Sequence, residues 1–238
     1  MPETMSISTP DGAMAAYVAV PEMPGPWPAV VVIQEIFGVN DVVRTAADRL
    51  AAVGFLAVAP DLFWRLEPGV QLTDKTEEEW KHGFKLMQGL DFDKAMDDIQ
   101  TTITAARNDK RTTGLVGAVG YCLGGQLAYL AATRTDVDAA VGYYGVNLDK
   151  RLDEADKIKK PLLLHIAMQD EYSTPERSQQ VIDALKGKPG VEVDTYRDSN
   201  HAFAREGGAH YDRLNAKLAD ARTAIFLTRA LVAETAGG

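Results

Sequence analysis

Short, nearly uninterrupted apolar blocks alternate along this chain with longer stretches in which apolar and polar positions repeat with a helical period. Blocks of the first kind suit strands buried on both faces, and stretches of the second suit helices that cover them. Residues on either side of Pro10-Asp11-Gly12 predict an opening hairpin, and a buried strand is expected over 28–34. A helix from Asp41 to Val53 and a strand Phe55–Ala59 follow, with Pro60 expected to stop the strand. Beyond them the pattern predicts a helix over 92–108, a strand at Leu115–Val119 with a helix at Gln126–Ala132, and strands over 139–144 and 161–167. A helix over 175–186, an alternating strand Val191–Tyr196 and a final helix over 210–234 complete the series. This rhythm predicts an α/β class fold: a mostly parallel central sheet with helices on both faces and functional residues at the carboxyl ends of its strands. A single domain over residues 1–238 is expected, since the chain is long enough for one sizeable core and shows no internal repeat or low-complexity linker.

Segment 60–91 interrupts the rhythm with Phe63, Trp64, Pro68, Trp80 and Phe84. Two readings stand side by side: aromatics that wall a ligand pocket, and aromatics that pack the segment onto the core.

The chain's one cysteine falls in Gly120-Tyr121-Cys122-Leu123-Gly124, where the apolar run at Leu115 must turn sharply into the helix-forming run at Gln126. This is the pattern of a nucleophile elbow with sulfur in place of oxygen. Flanking glycines leave no side chains to collide in the turn, and the helix N-terminus favours a thiolate and offers N–H groups to an oxyanion. Of the four histidines, His201 follows the strand at Val191–Tyr196 by a short polar loop, where a catalytic base belongs. His165 sits inside an apolar run and reads as a core histidine, while His82 and His210 read as surface residues, the latter at the start of the final helix. Asp170 ends the segment Leu162–Asp170, and alternation turns the neighbouring Glu171 the other way. The order Cys122, Asp170, His201 is that of nucleophile, acid and base in an α/β-hydrolase. Glu35 ends the strand at 28–34, where a buried carboxylate must find a partner such as Arg205 or become neutral.

Composition narrows the function classes. A net charge of −9 excludes a nucleic-acid partner and makes long-range steering of an anionic substrate unfavourable, so a substrate carboxylate would need local cations. One cysteine cannot form an intramolecular disulfide, the N-terminus lacks the features of a signal peptide, and no apolar stretch is long enough to span a membrane, all of which predict a cytoplasmic location and no membrane partner. Neither a Cys-x-x-Cys nor a His-Glu-x-x-His pattern occurs, and no metal or organic cofactor is expected.

Gln34–Asn40, Ala59–Leu62, Gly120–Gly125, Val141–Gly145 and Ser199–Arg205 together resemble the dienelactone hydrolase (carboxymethylenebutenolidase) family, in order and over nearly the whole chain. The resemblance implies an α/β-hydrolase fold and hydrolysis of a small-molecule lactone or ester through a covalent cysteine intermediate, in a monomer or weak homodimer. At matching positions it implies Cys122, Asp170 and His201 as the triad, and Glu35 as the carboxylate that activates the thiol. It further implies Arg205 as a switch between Glu35 and the substrate carboxylate, Tyr144 as a pocket residue, and the N–H groups of Leu123 and Ile36 as the oxyanion hole. One departure stands out. Trp80 takes the place of the family's second substrate-binding arginine, with Lys81 beside it and Phe84 where the family often has tyrosine. Lys81 would offer a point charge where arginine offers a flat fork, so a less acidic or more aromatic substrate becomes a rival reading. A broad esterase or thioesterase of the same fold is the nearest alternative, and a non-catalytic binder a more distant one.

Overall fold

A computed structural model describes residues 3–232. Eight strands form a sheet in the order β1-β2-β4-β3-β5-β6-β7-β8. The residues group into two compact units, Met1–Ala118 and Val119–Gly238, with strand β5 (Thr112–Tyr121) running from the first into the second.

In the first unit, β1 (Glu3–Thr9) and β2 (Gly12–Ala19) make the expected hairpin, and β2 pairs antiparallel with β4 (Leu56–Pro60). The parallel part begins where β3 (Trp27–Ile33) pairs with β4, placing Val30 beside Ala57 and Val31 beside Val58. Every β4 residue is buried, as is β3 after Trp27, which explains their unbroken apolar sequences. Helices α1 (Asp41–Ala52), capped by Asn40, and α3 (Phe92–Arg107), capped by Asp91, pack on these strands. Pro60 does not precede the end of β4 but forms its last residue, opposite Ala16, because a terminal position asks little of its missing N–H. Within segment 60–91 the chain makes a thirteen-residue helix, α2 (Glu77–Gly89), which Thr76 starts by accepting the N–H of Glu79. The part before α2 is pinned at several points. Asp61 accepts N–H groups from Phe63 and Gly69, and the buried Asp98 receives Trp64 Nε1 at 2.9 Å together with the Arg65 guanidinium.

In the second unit, β6 (Ala139–Tyr143), β7 (Leu162–Ala167) and β8 (Val191–Tyr196) run parallel, with Tyr143 beside His165 and His165 beside Asp194. Helix α4 (Leu123–Arg134) is buried at every residue from Leu123 to Ala132, which its small and apolar sequence permits. Between β6 and β7 a 3₁₀ stretch, Leu148–Lys157, escapes prediction because its sequence is mostly charged. Its buried Glu154 accepts from Arg134 at the end of α4, and α5 (Pro175–Leu185) packs beside it. The final helix, α6, runs Arg213–Leu231 and so starts later than expected. Asp212 caps it at Asn215 N, which leaves His210 in the preceding turn; the end of the predicted helix beyond Val232 lies outside the described residues. Among the described residues no helix is long and apolar enough to cross a membrane.

Candidate active site

The end of β5 and the start of α4 meet at Cys122, whose backbone takes φ 55° and ψ −113°. A side chain at positive φ is strained, at a cost of about 1–3 kcal/mol, so the surroundings must hold it there. They do so from two sides. Cys122 N–H donates to Tyr143 O at 3.0 Å, and Cys122 O accepts from Gln126 N at 3.2 Å. The glycines predicted around the elbow are required by contact: a Cβ on Gly120 would lie 1.9 Å from Gly124 O, and one on Gly125 would lie 2.5 Å from Tyr143 O. Only a bare backbone lets α4 pack this closely on β5 and β6. Cys122 is 7 % exposed and stands at the positive end of α4, where the first N–H groups, Leu123's among them, have no acceptor within the helix.

Asp170 lies in the loop after β7, a loop held by Met168 N donating to Tyr196 O and Gln169 N donating to Ser199 O. One carboxylate oxygen accepts the N–H groups of Tyr172 at 2.8 Å and Ser173 at 3.1 Å, and the other accepts from His201 Nδ1 at 2.7 Å. All of Asp170, Ser173 and His201 are buried. The loop that carries His201 is stapled to the start of α6, where Asn215 Nδ2 donates to Ser199 Oγ at 2.9 Å and the Ser199 hydroxyl donates to Asp212. With Nδ1 committed to Asp170, Nε2 is left for Cys122, and the imidazole and sulfur are hydrogen bonded. Burial works against a charge on His201, but the charge of Cys122 and the bonds to Asp170 and to the sulfur outweigh it and raise the ring's pKa to about 10. A protonated His201 ring beside the sulfur is the state that these contacts favour.

Two aromatic rings grip the histidine edge-on. Tyr144 stands 5.2 Å from the His201 ring at 65° and Tyr172 stands 4.8 Å away at 71°. Tyr144 is fully buried and at φ 37°, packed also against Phe203. Sequence reading passed over Tyr172; its position two residues after Asp170, whose carboxylate takes its N–H, was the only available signal. Burial, reinforced by the charges of Glu171 and Cys122 and opposed by Arg205, pushes the Tyr172 phenol up and keeps it protonated. Arg205 itself is 5 % exposed.

The remaining candidates lie in the first unit. Gln34, Glu35, Ile36 and Phe37 are all buried just beyond β3. Gln34 accepts from Leu62 N, and α2 presses on Ile36 so closely that a Cβ on Gly83 would stand 2.9 Å from its carbonyl oxygen. Trp80 packs edge-on against Phe37 at 5.0 Å and beside Phe84 at 5.8 Å, and its indole N–H donates to Asp74 O. Lys81 points outward, its side chain 70 % exposed and paired with Glu77 at 2.7 Å. His82 is also at the surface, beside Glu67. No cluster of histidine, cysteine, aspartate or glutamate suited to a metal ion occurs among the described residues.

A mostly parallel sheet, a sharp strand-to-helix turn bearing a nucleophilic side chain, and an acid and a histidine on later loops define an α/β-hydrolase. The model of the dienelactone hydrolase family matches residues 14–231, and the chain belongs to that family of hydrolytic enzymes. It is 50 % identical over 222 residues to an Azospirillum brasilense protein named "Putative carboxymethylenebutenolidase", covering 93 % of this chain and 95 % of that one. It is 38 % identical over 226 residues to the carboxymethylenebutenolidase of Pseudomonas putida, covering 94 % and 95 % of the two chains. Among solved structures, a Klebsiella pneumoniae protein titled "Putative Dienelactone Hydrolase" superimposes with a TM-score of 0.85 at 26 % identity, over 96 % of this chain and 98 % of that one.

Proposed function

We propose that this enzyme opens a carboxymethylenebutenolide-type lactone through a covalent thioester on Cys122. The observation that carries the reading is the buried succession of Asp170, His201 and Cys122, with Asp170 Oδ2 2.7 Å from His201 Nδ1 and the sulfur hydrogen bonded to the same ring. The thiolate adds to the lactone carbonyl, and the oxyanion is held by the Leu123 N–H at the start of α4, a donor contributing about 3 kcal/mol, with Ile36 as the second donor on family likeness alone. Collapse breaks the ring carbon–oxygen bond, and the departing oxygen or its enolate takes the proton of imidazolium His201. Neutral His201 then removes a proton from water as the water attacks the thioester, the carbon–sulfur bond breaks, and the thiolate–imidazolium pair is restored.

Family likeness and the burial of its carboxylate support Glu35 as the group that takes the proton from Cys122 in any enzyme molecule that rests as the thiol, which supplies the thiolate that begins these steps, and Arg205 as the cation for the substrate carboxylate. Tyr144 orients His201 and borders the substrate. The aromatic group of Phe37, Trp80 and Phe84, with the Lys81 ammonium engaged by Glu77, favours a second reading for the natural substrate: a neutral or aromatic ester. Steady-state hydrolysis of cis-dienelactone beside p-nitrophenyl acetate, with Cys122→Ala as control, tests both. Lactone turnover that needs Cys122 is the expected result. Ester turnover alone would support the second reading, and activity that survives Cys122→Ala would overturn the mechanism.

A further inference from the structure

A chain of side-chain hydrogen bonds crosses the core of the second unit and takes no part in the mechanism above. Its centre is His165 on β7, which is completely buried. His165 Nδ1 is 2.9 Å from Tyr196 Oη, and Nε2 is 2.9 Å from Thr223 Oγ1. Thr223 Oγ1 is 2.6 Å from Tyr143 Oη, which lies 3.4 Å from Asp220 Oδ1. At the other end Arg222 Nη1 is 3.4 Å from Tyr196 Oη.

The ends give the chain its direction. Carboxylate oxygens only accept and a guanidinium only donates. Tyr143 therefore donates to Asp220 and accepts from Thr223, and Thr223 in turn accepts from His165 Nε2–H. His165 Nδ1 must then be bare, accepting from Tyr196, whose oxygen accepts from Arg222. Each link then has one donor and one acceptor. Asp194 on β8 also faces this end of the chain, with Oδ2 3.9 Å from His165 Nδ1 and Oδ1 3.4 Å from the same Arg222 Nη1. A second proton on His165 would face the Tyr196 hydroxyl and break the order. Burial, helped by the charge of Arg222, pushes the His165 pKa down to about 3, so the neutral ring is the resident form.

The middle of the chain passes under the elbow. Tyr143 and His165 are neighbours on β6 and β7, and their rings are 4.4 Å apart. The carbonyl of Tyr143 accepts the N–H of Cys122 at 3.0 Å, and the carbonyl of His165 accepts the N–H of Tyr144 at 2.8 Å. Cys122 and Tyr144 both have positive φ, and Tyr144 grips His201. We propose that His165, held as the neutral Nε2–H tautomer by the Arg222–Tyr196–His165–Thr223–Tyr143–Asp220 chain, is a positioning residue that clamps the ends of β6 and β7 and so aims Cys122 and Tyr144 at His201. The proposal rests on Cys122 being the nucleophile.

Thr223→Val keeps the shape but cuts the chain on both sides of the hydroxyl, and Thr223→Ser restores it. In p-nitrophenyl acetate hydrolysis Thr223→Val should lower kcat about tenfold with KM within about twofold, and Thr223→Ser should return kcat to within about twofold of the parent. A folded Thr223→Val enzyme with parental kcat, or a serine variant no better than the valine one, overturns the proposal. Where the valine variant does not fold, ring ¹⁵N–¹H correlation spectra of the parent decide. A non-titrating Nε2–H tautomer between about pH 5 and 9 is expected, and an Nδ1–H tautomer or a titrating ring overturns the proposal. Cys122→Ala in the same assay separates the two readings: full activity without the sulfur refutes the nucleophile itself, whereas the Thr223 results bear on the clamp alone.

Discussion

A Cβ on Gly120 would sit 1.9 Å from the carbonyl oxygen of Gly124, well inside van der Waals contact and against main chain that cannot swing aside. The elbow exists because these two residues approach without side chains. Gly120→Ala should therefore cost about 3 kcal/mol or more in urea unfolding and remove turnover. A stable, active alanine variant would show that the turn is looser than this contact requires.

Removing the sulfur should change the histidine. Burial lowers the pKa of His201, and the charge and hydrogen bond of Cys122, with Asp170, raise it to about 10. In Cys122→Ala burial remains, opposed by Asp170 alone, so the imidazole should titrate at lower pH than in the parent. Proton or nitrogen NMR of the His201 ring in both proteins measures this, and an unchanged titration would rule out the ion pair.

Asp170→Asn retains an oxygen for the N–H groups of Tyr172 and Ser173, which should keep the loop in place. It removes the negative partner that sets the His201 tautomer. A fall in kcat of about 10³ to 10⁴ with a near-parental melting temperature is expected in ester hydrolysis. A fall below tenfold would mean that another group orients His201.

Glu154 offers a pH test of stability away from the site. Its hydrogen bonds from Arg134, stronger than the opposing effect of burial, lower its pKa from 4.5 to about 2. The folded form thus binds fewer protons than the unfolded chain between these values. Its contribution is fully present above about pH 4.5 and is lost as pH falls through about 2. Glu154→Gln should cost about 2 kcal/mol at neutral pH, with the difference shrinking across that window in parallel urea titrations. A pH-independent difference would place the loss in packing.

Local patterns were legible wherever a single physical requirement acted. β3 and β4 are buried on both faces and read as unbroken apolar runs, and α1 and α3 carry both period and cap. Cys122, Asp170 and His201 could be picked out as candidates because each follows a strand or an elbow, and the structure places Asp170 beside His201. Leu148–Lys157 and the late start of α6 were not legible, since the first is ordered by Glu154 and the second by the Asp212 cap. Tyr172 was missed for a similar reason: nothing in Glu171-Tyr172-Ser173 tells that the ring will fold back on His201.

Residue order alone settled the alternation of strands and helices, the glycine-flanked thiol and the family, because these depend on neighbours a few positions apart and on backbone sterics. Folding settled what depends on distant residues meeting. Tyr143, His165, Tyr196 and Thr223 come from three strands and a helix, and their hydrogen-bond chain appears in no local pattern. The sequence placed Lys81 beside the Trp80 that replaces the family's arginine, and only the structure shows that the turn of α2 pairs it with Glu77. His165 read in sequence as a core histidine, and the structure adds which partners satisfy it: burial together with two hydroxyls makes it a neutral ring held in one orientation beneath the elbow.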